Sequence, residues 1–297
     1  MINPPRVLVF GYSEVGCAGF DLLRRRGAHL VGVFTHQDDP TEARWFRSVA
    51  ALATQAGVPV FTPASLADPE WESLICDRLR PGLIVSLYYR HLIPIGLFRT
   101  AGLGAVNLHG SLLPKYRGRA PVNWAVLHGE TQTGATLHHM TGRADAGDIV
   151  DQEAVPIGPR ETAAEVMARV VEAAVRVLDR QFDNLVRGTA PRRPQDDTLV
   201  TCFGRRTPED GRIDWSWTTR RIFNLVRAVT RPYPGAFADW PDGRRLTVWW
   251  AEPDARGGPP GTLLCAQPPV IATGDGAVRV TDFEWRNPPA ASTAAAR

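Results

Sequence analysis

The run AVNLHGSLLPKYRGRAPVNW, residues 105–124, holds the residue types most able to do chemistry in this chain. Asn107 and His109 lie two positions apart, so on a strand they project from one face. An amide donor beside an imidazole suits acyl transfer. The amide can stabilise negative charge growing on a carbonyl oxygen, and the imidazole can carry a proton. The N-x-H pattern is short, and a buried structural pair would look the same. A second stretch, TGRADAGDIV (141–150), places Asp145 in a glycine-flanked loop ahead of another apolar run. A carboxylate beside His109 would favour its imidazolium form. Read as turn residues, Asp145, Asp148 and Asp151 would need no such role. Between Pro114 and Pro121 the loop adds Lys115, Arg117 and Arg119, a stiff basic segment that could hold a phosphate or a carboxylate-rich tail, or simply be solvated.

Two other stretches invite a chemical reading and do not sustain it. FGYSEVG, after the first apolar run, has Gly11 and Gly16 but not the G-x-G-x-x-G spacing, and FTH at the end of the second run lacks the acidic residue a dinucleotide fold uses there. A strand-to-helix turn is the preferred reading. His138 and His139 are adjacent and would point apart on a strand, and no third ligand stands at a sensible spacing. No metal site is expected.

Strands and helices must position these groups. RVLVFG (6–11), HLVGVFTH (29–36), VPVFTP, LIVSLYY (83–89) and AVNLH (105–109) read as buried strands. Between them lie helical patterns: GCAGFDLLRRRG, residues 43–57, and DPEWESLICDRLRPG with Asp68 as N-cap and Pro69 at its first position. Alternation of this kind gives βαβ units and a mostly parallel, Rossmann-like sheet, so the fold class is α/β. Asn107 and His109 then sit at the C-terminal end of the fifth strand, where open α/β sheets bind ligands. A later helix opens on a T-x-x-E capping box, Thr162 and Glu165, keeps one apolar face through Leu178, and stops at Gly188. TAPRRPQDD (189–197) reads as a polar, proline-rich link between domains. Beyond it, a helix over 218–229 leads into β-rich segments with D-G and G-D-G turns, the pattern of a small β-barrel or sandwich. The expected division is a catalytic domain over 1–190, an OB-like barrel domain over 198–288 and a disordered tail over 289–297.

With 297 residues, 44% of them hydrophobic, there is ample material for such a core. A net charge of +3 is too weak to argue for nucleic acid and would suit a phosphorylated small substrate. Cys17, Cys76, Cys202 and Cys265 form no CxxC pair, which fits a reducing cytoplasm. The N-terminal stretch has no signal-peptide pattern, and no apolar run approaches the ~18 residues of a membrane span.

Taken together, NLHGSLLPKYRGRAP followed by TGRADAGDIV resembles the 10-formyltetrahydrofolate-dependent formyltransferases. The likeness extends through FTHQDDP, SLYYRHLIP, TCFGRRTPEDGRIDW and VRAVTRPYPGAF, nearly the whole chain to about residue 250. Within that family it looks most like the formyltransferase part of the bifunctional polymyxin-resistance enzymes acting on UDP-4-amino-4-deoxy-L-arabinose, here without the decarboxylase half. The methionyl-tRNA formyltransferases are the alternative branch; their first turn usually reads G-T-P-x-F-A, whereas this one reads GYSEVGCAG. The resemblance implies that His109 is the catalytic histidine, Asn107 the oxyanion-stabilising asparagine and Asp145 the acid that tunes the histidine. It implies a formylfolate site made by His91, Leu92 and Ile93, by Thr141, Gly142, Arg143 and Ala144 leading to Asp145, and by Arg119. The co-substrate would be 10-formyltetrahydrofolate, without a metal. The partner would be a small nucleotide-linked amino sugar, with no nucleic acid and no membrane. Self-association is left open, with a homodimer allowed. A formylfolate hydrolase and a non-catalytic binding module are the remaining rivals.

Overall fold

The computed structural model describes residues 5–38 and 45–286, so the tail expected over 289–297 lies outside the described residues. The chain divides into two compact units. The first comprises residues up to Pro121, Gln132–Pro156 and Met167–Gly204; the second comprises Val122–Thr131, Ile157–Val166 and the residues from Arg205 on.

In chain order the elements begin β1 (Arg6–Gly11), α1 (Ser13–Arg25), β2 (His29–Phe34), α2 (Val49–Gln55), β3 (Val60–Phe61), α3 (Pro69–Ser73), β4 (Leu83–Leu87), α4 (Ile95–Arg99) and β5 (Ala105–His109). They continue with β6 (Arg117–Gly118), α5 (Pro121–Leu127), β7 (Gln132–His139), β8 (Ile149–Pro156), α6 (Ala163–Arg187) and β9 (Cys202–Phe203). A seven-stranded sheet has the order β3-β2-β1-β4-β5-β7-β8. β3 through β5 run parallel, as expected; β7 and β8 join antiparallel, which makes the sheet mixed. Successive strands leave β1 on one side through β2 and β3, and on the other through β4 and β5. This reversal creates a crevice at the C-terminal ends of β1 and β4.

The central strands are apolar because both faces are covered. β4 is buried along its whole length, and β1 and β2 at all but their first residue. Phe10 and Phe34 stack at 4.8 Å, and Ile84, Leu97 and Ile75 fill the same cluster.

Three elements depart from the sequence reading. The helix expected over 43–57 begins at Val49, where Ser48 Oγ accepts the Ala51 N–H at 3.1 Å; residues 43 and 44 lie outside the described set. Asp68 precedes α3 as its N-cap residue, and the helix passes into a π-helical stretch at Leu74–Leu79 that Arg80 ends with φ 45°. VPVFTP contributes two strand residues, because β3 is the edge strand and pairs with β2 alone among the described strands. The capping box is present: Glu165 N–H donates to Thr162 Oγ1 at 3.2 Å, and Thr162 N–H to Glu165 Oε2 at 2.8 Å.

The second unit adds α7 (Thr219–Val229), capped by Thr218, then β10 (Ala236–Asp239), β11 (Arg245–Asp254), β12 (Leu263–Ala266), β13 (Pro269–Ala272) and β14 (Ala277–Arg286). These strands form one antiparallel sheet in the order β10-β11-β14-β13-β12. Among the described residues these pairings make one five-stranded sheet with β10 and β12 at its ends.

Candidate active site

β5 ends with Asn107 half-buried and His109 buried, two residues apart as its alternation requires. The antiparallel register sets His138 of β7 directly opposite Asn107. The loop between β7 and β8 then delivers Asp145 to the same place. Asp145 Oδ1 lies 3.5 Å from His109 Nδ1, 3.5 Å from His138 Nε2 and 3.4 Å from Asn107 Nδ2. The other carboxylate oxygen accepts the Gly118 N–H at 2.9 Å. Burial alone would raise the Asp145 carboxyl. The neighbouring imidazoles of His109 and His138 and the Gly118 amide outweigh it and hold the group well below the usual carboxylate range.

Hydrogen-bond partners fix which ring nitrogens carry protons. His109 Nε2 lies 2.7 Å from the Tyr116 carbonyl, which can only accept, so Nε2–H donates there while Nδ1 faces the carboxylate. His138 Nδ1 likewise donates to the His139 carbonyl at 2.9 Å, which leaves Nε2 to accept from Asn107 Nδ2 at 3.1 Å. Asn107 therefore places one amide hydrogen on His138 and turns the other toward Asp145 across the longer contact.

The backbone that assembles this cluster takes several left-handed conformations. Asp145 has φ 53°, Tyr116 φ 59° and Ala120 φ 51°, each costing on the order of 1–2 kcal/mol for a residue with a Cβ. Gly118, at φ 101°, could carry no side chain: a Cβ there would lie 2.2 Å from the Phe203 carbonyl oxygen. Gly110 is less confined: a Cβ there would lie 1.7 Å from the Tyr88 hydroxyl, so a larger residue requires that side chain to move.

The remaining predicted residues separate into those placed near each other and those held elsewhere. His91, Leu92, Thr141, Gly142, Arg143 and Ala144 are exposed, and Ile93 packs partly into the core cluster. The two segments approach each other where a Cβ on Gly142 would sit 3.7 Å from Ile95 Cδ1. Thr141 Oγ1 donates to the Arg143 carbonyl at 3.0 Å and accepts the Arg143 N–H, folding the loop on itself. Arg119 donates to the Arg90 carbonyl, and its own N–H to the Phe203 carbonyl at 2.9 Å. Arg117 is not solvated: it is buried and donates to Gln195. Lys115 is exposed. Sequence reasoning gave His138 no role, and the alternation of GATLHH was the available signal that it shares a face with another β7 residue. Among the described residues no group of three His, Cys, Asp or Glu side chains is arranged to hold a metal ion, and no helix is long and apolar enough to cross a membrane.

At the crevice, His36 stacks on Tyr89 at 4.5 Å and its Nε2 accepts the Arg90 N–H at 3.0 Å. Burial, then the charges of His91, Arg90 and Arg119, push its imidazole down to about 4 from 6.5. The unfolded chain therefore takes up a proton at His36 between those values while the folded chain does not. Stability attributable to this site is lost as pH falls from 6.5 toward 4 and is unaffected above 6.5. His36→Phe is expected to flatten that part of the stability curve, checked by urea unfolding at a series of pH values. An unchanged slope would show that His36 titrates normally in the folded chain.

Residues 6–181 match the model of the family described as Formyl transferase, and residues 205–295 match that described as Formyl transferase, C-terminal domain. Among solved structures, the chain resembles an N-formyltransferase from Helicobacter canadensis, in complex with folinic acid and dTDP-3-aminofucose, at 17% identity and a TM-score of 0.74, over 94% of this chain and 100% of that one. A sugar N-formyltransferase from Shewanella sp FDAARGOS_354 shares 18% identity at a TM-score of 0.65, over 82% of this chain and 95% of that one. A variant of HypX from Aquifex aeolicus shares 21% identity at a TM-score of 0.65; the match covers 96% of this chain but spans 45% of HypX. At these identities the likeness describes the fold.

Proposed function

Because the chain belongs to the formyl transferase family, we propose that this enzyme moves a formyl group from 10-formyltetrahydrofolate to the primary amine of a nucleotide-linked amino sugar. The observation that carries the reading is the meeting of Asn107, His109 and Asp145, from two separate stretches of sequence, around one carboxylate oxygen. The formyl donor supplies an activated one-carbon carbonyl on its N10. The surfaces around the 91–93 and 141–144 segments suit it. Leu92 is 78% exposed and Ile95 38%, so apolar side chains stand uncovered beside polar backbone, a match for a flat heteroaromatic ring with hydrogen-bonding edges.

The residues of the chain then divide the work. Asn107 exchanges its long contact with Asp145 for the formyl oxygen, where negative charge grows as the amine adds to the carbon. His109 takes the proton that the attacking amine must lose, becoming an imidazolium, and gives a proton to N10 as the carbon–nitrogen bond breaks. An amide-like nitrogen leaves poorly as an anion, so this proton matters. Asp145, facing Nδ1, stabilises the imidazolium while His109 carries that proton. The amine is itself the nucleophile, so no covalent bond to the protein is required.

Among acceptors, the long run of likeness through FTHQDDP, YYRHLIP and CFGRRTPEDG supports UDP-4-amino-4-deoxy-L-arabinose. The similar fold of the Helicobacter canadensis N-formyltransferase, in complex with folinic acid and dTDP-3-aminofucose, supports the broader class. In this reading residues 1–190 form the catalytic domain, 198–288 the OB-like domain, and the protein works in the cytoplasm. The test is formylfolate consumption measured across a panel of nucleotide-linked 3- and 4-amino sugars, with methionyl-tRNA included. Turnover is expected with one amino sugar. Turnover with methionyl-tRNA alone would replace the substrate assignment.

A further inference from the structure

Gln195 lies in the stretch that reads as a link between domains, yet it is held on the site side of the first unit. Ile149 N–H donates to the Arg193 carbonyl at 2.8 Å, and Arg193 N–H returns the bond at 3.0 Å, which ties the segment to the start of β8. Two residues on, Gln195 Nε2 donates to the carbonyl of Asp145 at 2.8 Å and to that of Gly147 at 2.7 Å. Its Oε1 accepts from Arg117 Nη2 at 2.8 Å and from Nε at 3.2 Å. Both hydrogens and both lone pairs of the amide are engaged, so its orientation is fixed. A flip would set an NH₂ against the guanidinium and an oxygen against two carbonyls.

We propose that Arg117 and Gln195 form a clamp that positions Asp145, and that Gln195 is a positioning residue for formyl transfer. The inference rests on the catalytic reading of Asp145 given above. Asp145 needs such a device because its backbone is left-handed, at φ 53°, in a loop whose neighbouring residues 141–144 are exposed. The carboxylate is fixed at its far end by the Gly118 N–H, one residue beyond Arg117. The same two-residue strand β6 thus holds the side chain directly and the main chain through Gln195. Arg117 is only 5% exposed, and its desolvation is offset by the amide oxygen together with Asp197 at 3.3 Å. A buried cation partnered by an amide turns that amide into a firmer donor toward the two carbonyls.

Gln195→Glu keeps the volume and the contact with Arg117 but cannot donate to the carbonyls. Its kcat is expected to fall roughly 10- to 100-fold, the cost of misplacing a reacting group by about 1 Å. The KM for the formyl donor is expected to stay close to the parent value, while the melting temperature falls by roughly a few degrees as two carbonyls lose their donor. Gln195→Met, neutral and of similar volume, serves as the second variant and is expected to lose kcat in the same way. Parent-like kcat in both variants, alongside an inactive Asp145→Asn, would overturn the clamp while leaving the catalytic reading intact. Loss of kcat, KM and melting temperature in step would also overturn it, by reducing Gln195 to a general stabiliser. An active Asp145→Asn would remove the catalytic reading and the clamp with it.

Discussion

His109→Ala is expected to lower kcat by roughly 10²–10⁴, the range for removing a general acid–base group. Binding of the formyl donor, measured by titration calorimetry, is expected to persist, since the segments proposed to hold it are elsewhere in the sequence. The reasoning lies in the two acceptors around the ring. The Tyr116 carbonyl keeps a proton on Nε2 at 2.7 Å, and the Asp145 carboxylate faces Nδ1 at 3.5 Å. Together they suit an imidazole that gives up one proton and regains it without turning over. Alanine removes the proton carrier and leaves Asp145 to share His138 and Asn107. Turnover within a few-fold of the parent would mean that the leaving nitrogen is protonated by solvent or by substrate, and that His109 is structural.

Asp145→Asn is the second large effect, expected to cost kcat about as much, roughly 10²–10⁴. The carboxylate accepts the Gly118 N–H and lies among three side-chain nitrogens. An asparagine in its place must turn an NH₂ toward at least one group that itself donates. The same contacts make a stability prediction. The folded carboxyl is held below its unfolded value of 3.8, so its contribution is fully present above that pH and is lost as pH falls further. The melting temperatures of Asp145→Asn and the parent are therefore expected to differ near neutral pH and to converge in acid. A gap that does not depend on pH would show that the charge is not what the fold uses.

Much of this site was legible in the chain. N-x-H on a strand reads directly as two side chains on one face, and the parallel order up to β5 follows from alternating strands and helices. What escaped was set by pairings across long sequence gaps. Nothing local tells that β7 returns antiparallel beside β5, yet that register alone brings His138 to Asn107. Arg117 was read as a candidate for solvent, as a lone arginine in a basic loop should be. It is buried because its partner, Gln195, comes from a proline-rich stretch with no periodicity. Asp145 lay between these cases: its residue type and glycine-flanked loop pointed to the role, while its distance to His109 required the fold. The β-rich segments near the C-terminus were legible as strands and hairpins, but which edges meet depends on twist and packing that alternation does not encode.

The close approach of Tyr88 to Gly110 carries a historical consequence. No side chain fits at 110 while a tyrosine hydroxyl stands where its Cβ would be. Among descendants of a common ancestor these two positions should therefore be inherited as a pair, with any residue larger than glycine at 110 accompanied by a smaller or redirected one at 88.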